Sequence, residues 1–420
     1  MPFLCVDLPV ETQDMLEHVV VGGGIVGLAV GAVLSRFGST AVLERHKDLL
    51  HETSSRNSGV VHAGLYYPAD SLKARLCIDG NENTWRLAEK FSLRSRRCGK
   101  YVGSVTVEED AEVEKIAAKM RLLNRPFCMV SAKELAAVEP LVAMRTVLLS
   151  KSTGIVDVCA LRDFFVSQIR NSQYDSFVLN HVHVHRIELH RDKCRVFAGD
   201  ADSEPVEAAN IVLSAGLSHN QLWQNIFRCD ESNSGDDGGG NTSTEKVTIG
   251  HALPIPPPAH HALHFCRGSY VGYRKKIVQS LVYPCPLPNL KGLGFHTTID
   301  LDGPVKFGPD AEYVSDSWDL AITEARGAAI VETAFDAVRK YIPSIDKSLM
   351  FPDFSGMRPK LSGEGETARD FVIERCESRL IALVGIESPG LTAATAIADQ
   401  VAGLAYGPDA LLKSPSPWAR

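Results

Sequence analysis

The stretch "HVVVGGGIVGLAVGAVLSRFGSTAVLERH", His18 to His46, reads as a short apolar strand, a glycine turn, an apolar helix and a second apolar strand. That is a βαβ opening. Gly22, Gly24 and Gly27 form G-x-G-x-x-G. The first permits the tight turn, the second lets a backbone approach a pyrophosphate, and the third lets helix and strand pack closely. A pyrophosphate would lie at the helix N-terminus, where unpaired N–H groups and the helix dipole favour negative charge. Glu44 ends the second strand twenty positions after Gly24, where a carboxylate accepts hydrogen bonds from ribose hydroxyls and repels a 2′-phosphate. Arg45 follows it. Glycines also serve ordinary turns, so the strand before, the helix after and the acid in place carry the expectation of a dinucleotide site.

Both nicotinamide and flavin enzymes open in this way. The next stretch, "SSRNSGVVHAGLYY" from Ser54 to Tyr67, helps to separate them. A nicotinamide enzyme would proceed to another apolar strand and helix. Here a polar loop offers Ser54, Ser55, Arg56, Asn57 and Ser58 to phosphate and ring atoms, with Gly59 allowing close approach, which suits a large buried cofactor such as FAD.

With "GGGIVGLA", "LER", "SSRNSGVVHAGLYYPADSLKARLC" and, far downstream, "GFHTTIDLDGPVKFGPDAE", the chain resembles the FAD-dependent L-2-hydroxyglutarate dehydrogenases and oxidases. These belong to the broader D-amino-acid-oxidase and glycerol-3-phosphate-dehydrogenase superfamily. The resemblance runs from about Val19 to Leu404. It implies an α/β protein: a discontinuous Rossmann-like FAD-binding domain of the glutathione-reductase type 2, with an inserted α+β substrate domain. "GIVDVCALRDFFVSQI" looks like the turn and helix that return the chain to the FAD domain. "FVLNHVHVHRIEL" looks like a strand with Val182 beside the adenine, and "AANIVLSAGLSH" like the strand and turn, at Ala215 and Gly216, that close on the cofactor. In "LIALVGIESPGLTAATAIADQVAGL" the resemblance implies a final helix facing the flavin. Backbone N–H groups around Gly390, Leu391 and Thr392 would then stabilise charge that develops near N1 and O2.

The expected division is residues 18–95, 152–220 and 351–410 for the FAD domain and 96–151 and 221–350 for the substrate domain. The Gly/Ser/Asp-rich 229–246 reads as a flexible loop, "KLSGEGETARD" as another loop, and the tail "KSPSPWAR" as disordered.

Oxidising a 2-hydroxy acid requires a carboxylate clamp, a base for the hydroxyl proton, and an α-hydrogen aimed at flavin N5. The resemblance implies L-2-hydroxyglutarate, a dicarboxylate, going to 2-oxoglutarate, with reoxidation by a quinone, an electron-transfer protein or O2. His62 and His296 are the candidate bases. Spacing does not rank them, and family position favours His296 as base with His62 beside the flavin; a covalent link from His62 to the flavin is an alternative that related amine dehydrogenases suggest. Arg358 is the candidate clamp, since arginine grips a carboxylate with two parallel bonds. Tyr66, Lys73, Arg267 and Tyr270 are further substrate-binding candidates. An amino acid, a secondary amine or glycerol 3-phosphate is the alternative substrate within the superfamily, and a flavin-binding protein without turnover is the alternative from another class.

Composition bounds the rest. Forty-four basic against 51 acidic residues give a net charge of −7 over 420 residues, with no global field that would attract nucleic acid. Ten scattered cysteines lack C-x-x-C and read as reduced thiols. "HVHVH" (His181, His183, His185) invites a metal reading, but no acid or cysteine is grouped with it, so no metal is expected. No stretch is apolar and long enough to span a bilayer, and the acidic start lacks a targeting pattern. A cytoplasmic setting is the default expectation, with mitochondrial location or peripheral membrane contact as alternatives.

Overall fold

A computed structural model of the chain describes residues 15–199, 203–229, 252–286 and 294–419. Five parallel strands form the heart of the largest sheet, in the order 177–180, 40–44, 16–21, 206–213, 380–384. Apolar residues alternate across it, as a strand's period of two requires. Val20, Val42, Val212, Ile381 and Leu383 face one layer, while Val19, Val21, Ala41, Leu43, Ile211 and Leu213 face the other.

Helices Ile25–Leu34, Leu72–Lys90, Val158–Arg170 and Gly390–Tyr406 cover the first face. The first of these is buried along nearly its whole length because it lies between the sheet and two other helices, which explains why it is apolar all round. Gly27 makes that packing possible: a Cβ there would stand 2.0 Å from the Gly22 carbonyl oxygen. The other face is covered by strands Val184–Leu189 and Cys194–Ala198, which run antiparallel to each other.

A second core lies between a five-stranded sheet centred on His264–Tyr273 and a four-stranded sheet that includes Lys100–Gly103 and Leu281–Pro284. Met350–Lys360 pairs along His264–Tyr273 in that sheet. The expected start of the third FAD-domain stretch at residue 351 is therefore too early, and the chain rejoins the first sheet at Val372–Glu377. Conversely, Ile226–Cys229 and Ala252–Pro254 extend the first sheet, although they fall in the range expected for the substrate domain. Strand partners far along the chain decide these boundaries, and composition does not report them.

Two local expectations also change. "FVLNHVHVHRIEL" is not one strand: Phe177–Asn180 ends and Val184–Leu189 begins around His181, which has φ 64°. The tail is packed. Trp418 is 1% exposed, and its Nε1 donates to Asp399 Oδ2 at 2.9 Å. The 229–246 loop lies outside the described residues except Cys229, which ends a strand.

Candidate active site

A cavity of about 1710 Å³ runs from the glycine turn to the second core. Ordinary small-molecule pockets hold roughly 300–1,000 Å³, so this one has room for a large cofactor together with a substrate. At one end Gly22, Gly24, Glu44, Val182, Ala215 and Gly216 line it; at the other, His62, Tyr66, Tyr270, Tyr283, His296 and Arg358. Both helix starts that the motifs predicted, Gly24–Val26 and Pro389–Leu391, open onto it, and neither is capped by the side chain of its own N-cap residue.

The nucleotide end is built around Glu44. Its Oε2 accepts from the Gly23 N–H at 2.7 Å and its Oε1 from the His46 N–H at 2.8 Å. Two of the carboxylate's acceptor sites are thus used to orient it, and others remain for ribose hydroxyls. Ser54 Oγ accepts from Ile25 N–H at 3.0 Å, and a Cβ on Gly24 would stand 3.2 Å from that oxygen. The space above Gly216, φ +51°, is open to at least 4 Å. A cradle of glycines, an oriented carboxylate and two helix starts opening onto the cavity fits the pyrophosphate and ribose of FAD.

Several expected cofactor residues lie elsewhere. Ser55 is absent from the cavity wall, and its hydroxyl donates to the His51 and Glu52 carbonyls. Gly59, φ +63°, makes a turn whose N–H donates to Asn57 Oδ1, outside the lining. Gly27 packs helix on strand. Thr392 is 1% exposed; its hydroxyl accepts from His62 N–H and donates to the Val60 carbonyl. Arg45, Arg56, Asn57 and Ser58 do line the cavity, but Arg45 is paired with Glu52 at 2.5 Å and lies over the Trp318 ring.

At the other end, His62 is held by its backbone. Thr392 Oγ1 receives its N–H at 3.0 Å, and its carbonyl accepts from Asn81 Nδ2 at 2.8 Å and Cys77 Sγ at 3.5 Å. Burial, then the Lys100 and His296 charges, holds its ring well below the usual histidine range. His296 opens strand His296–Ile299, and its ring stacks on Tyr283, centroids 3.9 Å apart. Its Nδ1 lies 2.9 Å from the Gly294 carbonyl oxygen. A carbonyl only accepts, so Nδ1 carries the proton and Nε2 keeps its lone pair. Burial lowers this ring to about 3, against the Gly294 contact that favours protonation and with the Lys100 and Arg358 charges adding to it.

Arg358 rises from strand Met350–Lys360 opposite Cys266. Nη2 donates to the Asp310 carbonyl at 3.1 Å and Nη1 to the Arg267 carbonyl at 3.4 Å. No carboxylate within 4.0 Å among the described residues neutralises it. Arg267 is a correction. It sits one residue out of phase with Cys266, Gly268 and Tyr270, which line the cavity, and its guanidinium is spent on Glu312 at 3.1 Å and Asp319 at 2.6 Å. Lys73 lines the wall but bonds Glu387 Oε1 at 2.9 Å, and Lys360 holds the same carboxylate at 3.0 Å. Tyr270 stacks on Phe354, and Tyr66 presents a buried hydroxyl without a partner.

Tyr283, Lys100, Lys360, Glu387 and Tyr67 were not anticipated. Tyr283 and Lys100 come from neighbouring strands paired in parallel, nearly two hundred positions apart, and no local pattern marks them. The "HVHVH" histidines are in neither of the two clusters of ligating side chains found among the described residues, Glu188/His190/Cys229 and His260/His261/Glu374.

Residues 17–231 and 244–404 match the family described as FAD dependent oxidoreductase. A mitochondrial L-2-hydroxyglutarate dehydrogenase of Arabidopsis thaliana is 30% identical over 93% of this chain and 83% of its own length. That of Homo sapiens is 24% identical, covering 95% and 90%. Among solved structures, an FAD-bound L-alpha-glycerophosphate oxidase from Mycoplasma pneumoniae superposes with a TM-score of 0.75 at 20% identity, covering 94% and 95%. A glycine oxidase from Geobacillus kaustophilus gives 0.69 at 15%, covering 93% and 94%. The two structures share the fold.

Proposed function

Since the chain belongs to the FAD dependent oxidoreductase family, and within it to the L-2-hydroxyglutarate dehydrogenases, we propose that it oxidises L-2-hydroxyglutarate to 2-oxoglutarate. The observation that carries this reading is the pairing of an Arg358 that makes no ion pair among the described residues with a His296 held neutral by burial on one cavity wall. A carboxylate needs the first and a hydroxyl proton needs the second.

Glu44, the Gly22–Gly24 turn, Ser54, Val182, Ala215–Gly216 and the Gly390–Leu391 helix start would hold FAD along the cavity. Bound FAD supplies the acceptor for the hydride leaving the α-carbon. Arg358 grips one carboxylate with two N–H donors. Tyr66, Tyr270 and Tyr283 line the same space, and the hydroxyls of Tyr66 and Tyr283 are buried without a hydrogen-bond partner among the described residues. His296 Nε2 receives the hydroxyl proton, with Nδ1–H anchored on Gly294 so that the ring does not rotate. Its low basicity rises when a dianion enters, because negative charge nearby favours imidazolium. His62 stands beside it as a second, flavin-side group.

An amine substrate would deprotonate without such a base, so the pairing favours the hydroxy acid over the amino acid and amine alternatives. Reoxidation calls for an acceptor; the relatives are named dehydrogenases, which favours a quinone or an electron-transfer protein over oxygen. They are also named mitochondrial, which favours that compartment over the cytoplasmic default. Among the described residues no helix is long and apolar enough to cross a membrane.

The test is anaerobic mixing of purified holoprotein with L-2-hydroxyglutarate, its D-enantiomer, amino acids and glycerol 3-phosphate. Bleaching of the flavin band by the L-hydroxy acid alone is expected. Bleaching by another member of the panel reassigns the substrate.

A further inference from the structure

Lys100 opens strand Lys100–Gly103 and is 0% exposed, yet its Nζ has no hydrogen-bond partner among the described residues. It lies 4.7 Å from the centroid of the Tyr66 ring and 4.5 Å from that of Tyr283. Both rings line the cavity, and both hydroxyls are buried without partners. Ring contacts return far less than it costs to strip water from an ammonium group. A counter-charge would normally accompany such a residue, and among the described residues none does.

The titratable groups that face Lys100 come from every neighbouring element. They are His62 and Tyr66 on the loop after the glycine motif, Cys77 on helix Leu72–Lys90, Tyr283 on the paired strand, and His296. All are uncharged near neutrality: the histidines are held low, while burial raises Cys77 to about 12 and pushes both tyrosines up. The partner for this cation is therefore something that enters the site.

Building on the function proposed above, we propose that Lys100 is the specificity-determining positioning residue for a dianion. From behind the Tyr66 and Tyr283 rings, 4.7 and 4.5 Å away, its charge reaches the cavity they line, so that the site prefers a substrate with two carboxylates to one with a single carboxylate. It acts through the two rings and does not itself line the cavity. Before substrate enters, burial pulls Lys100 down to about 7, so the ammonium form is partly populated near neutrality. A bound dianion draws the proton on, and binding is coupled to proton uptake.

The experiment titrates holoprotein with glutarate, a dicarboxylate that has no hydroxyl to oxidise, and with butyrate, following the perturbation of the flavin spectrum between about pH 6 and pH 9. Wild-type affinity for glutarate is expected to fall up to tenfold per pH unit above about pH 7, with the butyrate profile much flatter. Lys100→Met should weaken glutarate roughly tenfold to a hundredfold at low pH, leave butyrate within about threefold of wild type, and abolish the pH dependence. Lys100→Arg, charged throughout, should restore the preference for glutarate without the break near neutrality.

Equal loss of both ligands in Lys100→Met, or an unchanged glutarate profile, overturns the proposal. If neither variant retains FAD, the wild type still decides: parallel glutarate and butyrate profiles also overturn it. A wild type with the expected profile whose flavin is not bleached by L-2-hydroxyglutarate would remove the substrate assignment and leave Lys100 as a dianion selector. Bleaching by that acid together with unaltered discrimination in Lys100→Met would do the reverse.

Discussion

Arg358, paired across the sheet with Cys266, lays its guanidinium diagonally over Gly268, where a Cβ would stand 2.5 Å from Arg358 Nη2. The glycine makes room for the guanidinium to lie flat over the strand, held by two backbone carbonyls. Gly268→Ala should push it out of register, raising KM for L-2-hydroxyglutarate with little loss of melting temperature. Arg358→Met should cost about 10- to 150-fold in kcat/KM, the range for a lost charged hydrogen bond. A wild-type KM in the Gly268→Ala enzyme would show that the clamp lies elsewhere.

His296 holds its Nδ1 proton on the Gly294 carbonyl and leaves Nε2 to the site. His296→Asn retains a short polar side chain but offers no base at that point. Stopped-flow flavin reduction should slow by roughly 10²- to 10⁴-fold while glutarate affinity stays near wild type. Should His62→Asn prove the slower of the two variants, the roles of the two histidines exchange.

Glu44 uses one acceptor site on each oxygen to grip the backbone and is buried beside the glycine turn. Glu44→Ala should release FAD at least about tenfold more readily, measured as free flavin fluorescence after dilution. Gly27→Ala should fail earlier, at folding, because its added carbon meets the Gly22 carbonyl oxygen at 2.0 Å.

Glu387 bridges Lys73 and Lys360. Burial alone would raise its carboxyl, but the two ammonium groups outweigh burial and hold it below the usual range. Glu387→Ala leaves two cations facing each other and should cost about 3 kcal/mol in urea unfolding. The double variant with Lys73→Met should recover part of that loss, and purely additive costs would argue against coupling.

His18, 0% exposed with Nε2 2.5 Å from the Tyr406 hydroxyl, is lowered by burial to about 3. The unfolded chain takes up this proton near pH 6.5, while the folded chain refuses it until about 3. Its contribution to stability is therefore complete above the unfolded value and drains away as pH falls toward the folded one. His18→Gln should flatten the dependence of unfolding free energy on pH between those values by up to about 1.4 kcal/mol per pH unit. Parallel curves for the two proteins would rule the coupling out.

The nucleotide half of the site was largely legible in the chain because its parts are adjacent: strand, glycine turn, helix and acid fall within His18–His46. The substrate half was legible residue by residue but not as a set. Arg358, His62, His296, Tyr66 and Tyr270 meet on one wall. Arg267, one position from Cys266 and Gly268, turns to the opposite face of the same strand and its ion pairs. Ser55 carries the right chemistry but bonds to its own scaffold.

Local rules with short reach determined what the chain could announce by itself: a glycine where a Cβ would strike a carbonyl, an acid at a strand end, a helix that starts at a glycine turn. Tertiary structure alone decided which side chains share the reaction space. Strand pairing brings Lys100 against Leu281 and sets Tyr283 two residues further along, and long-range register stands Arg358 over Gly268. A strand's period of two decides which neighbour faces the cavity, and burial then sets its charge. Neither pairing nor burial is a property of any short stretch of sequence.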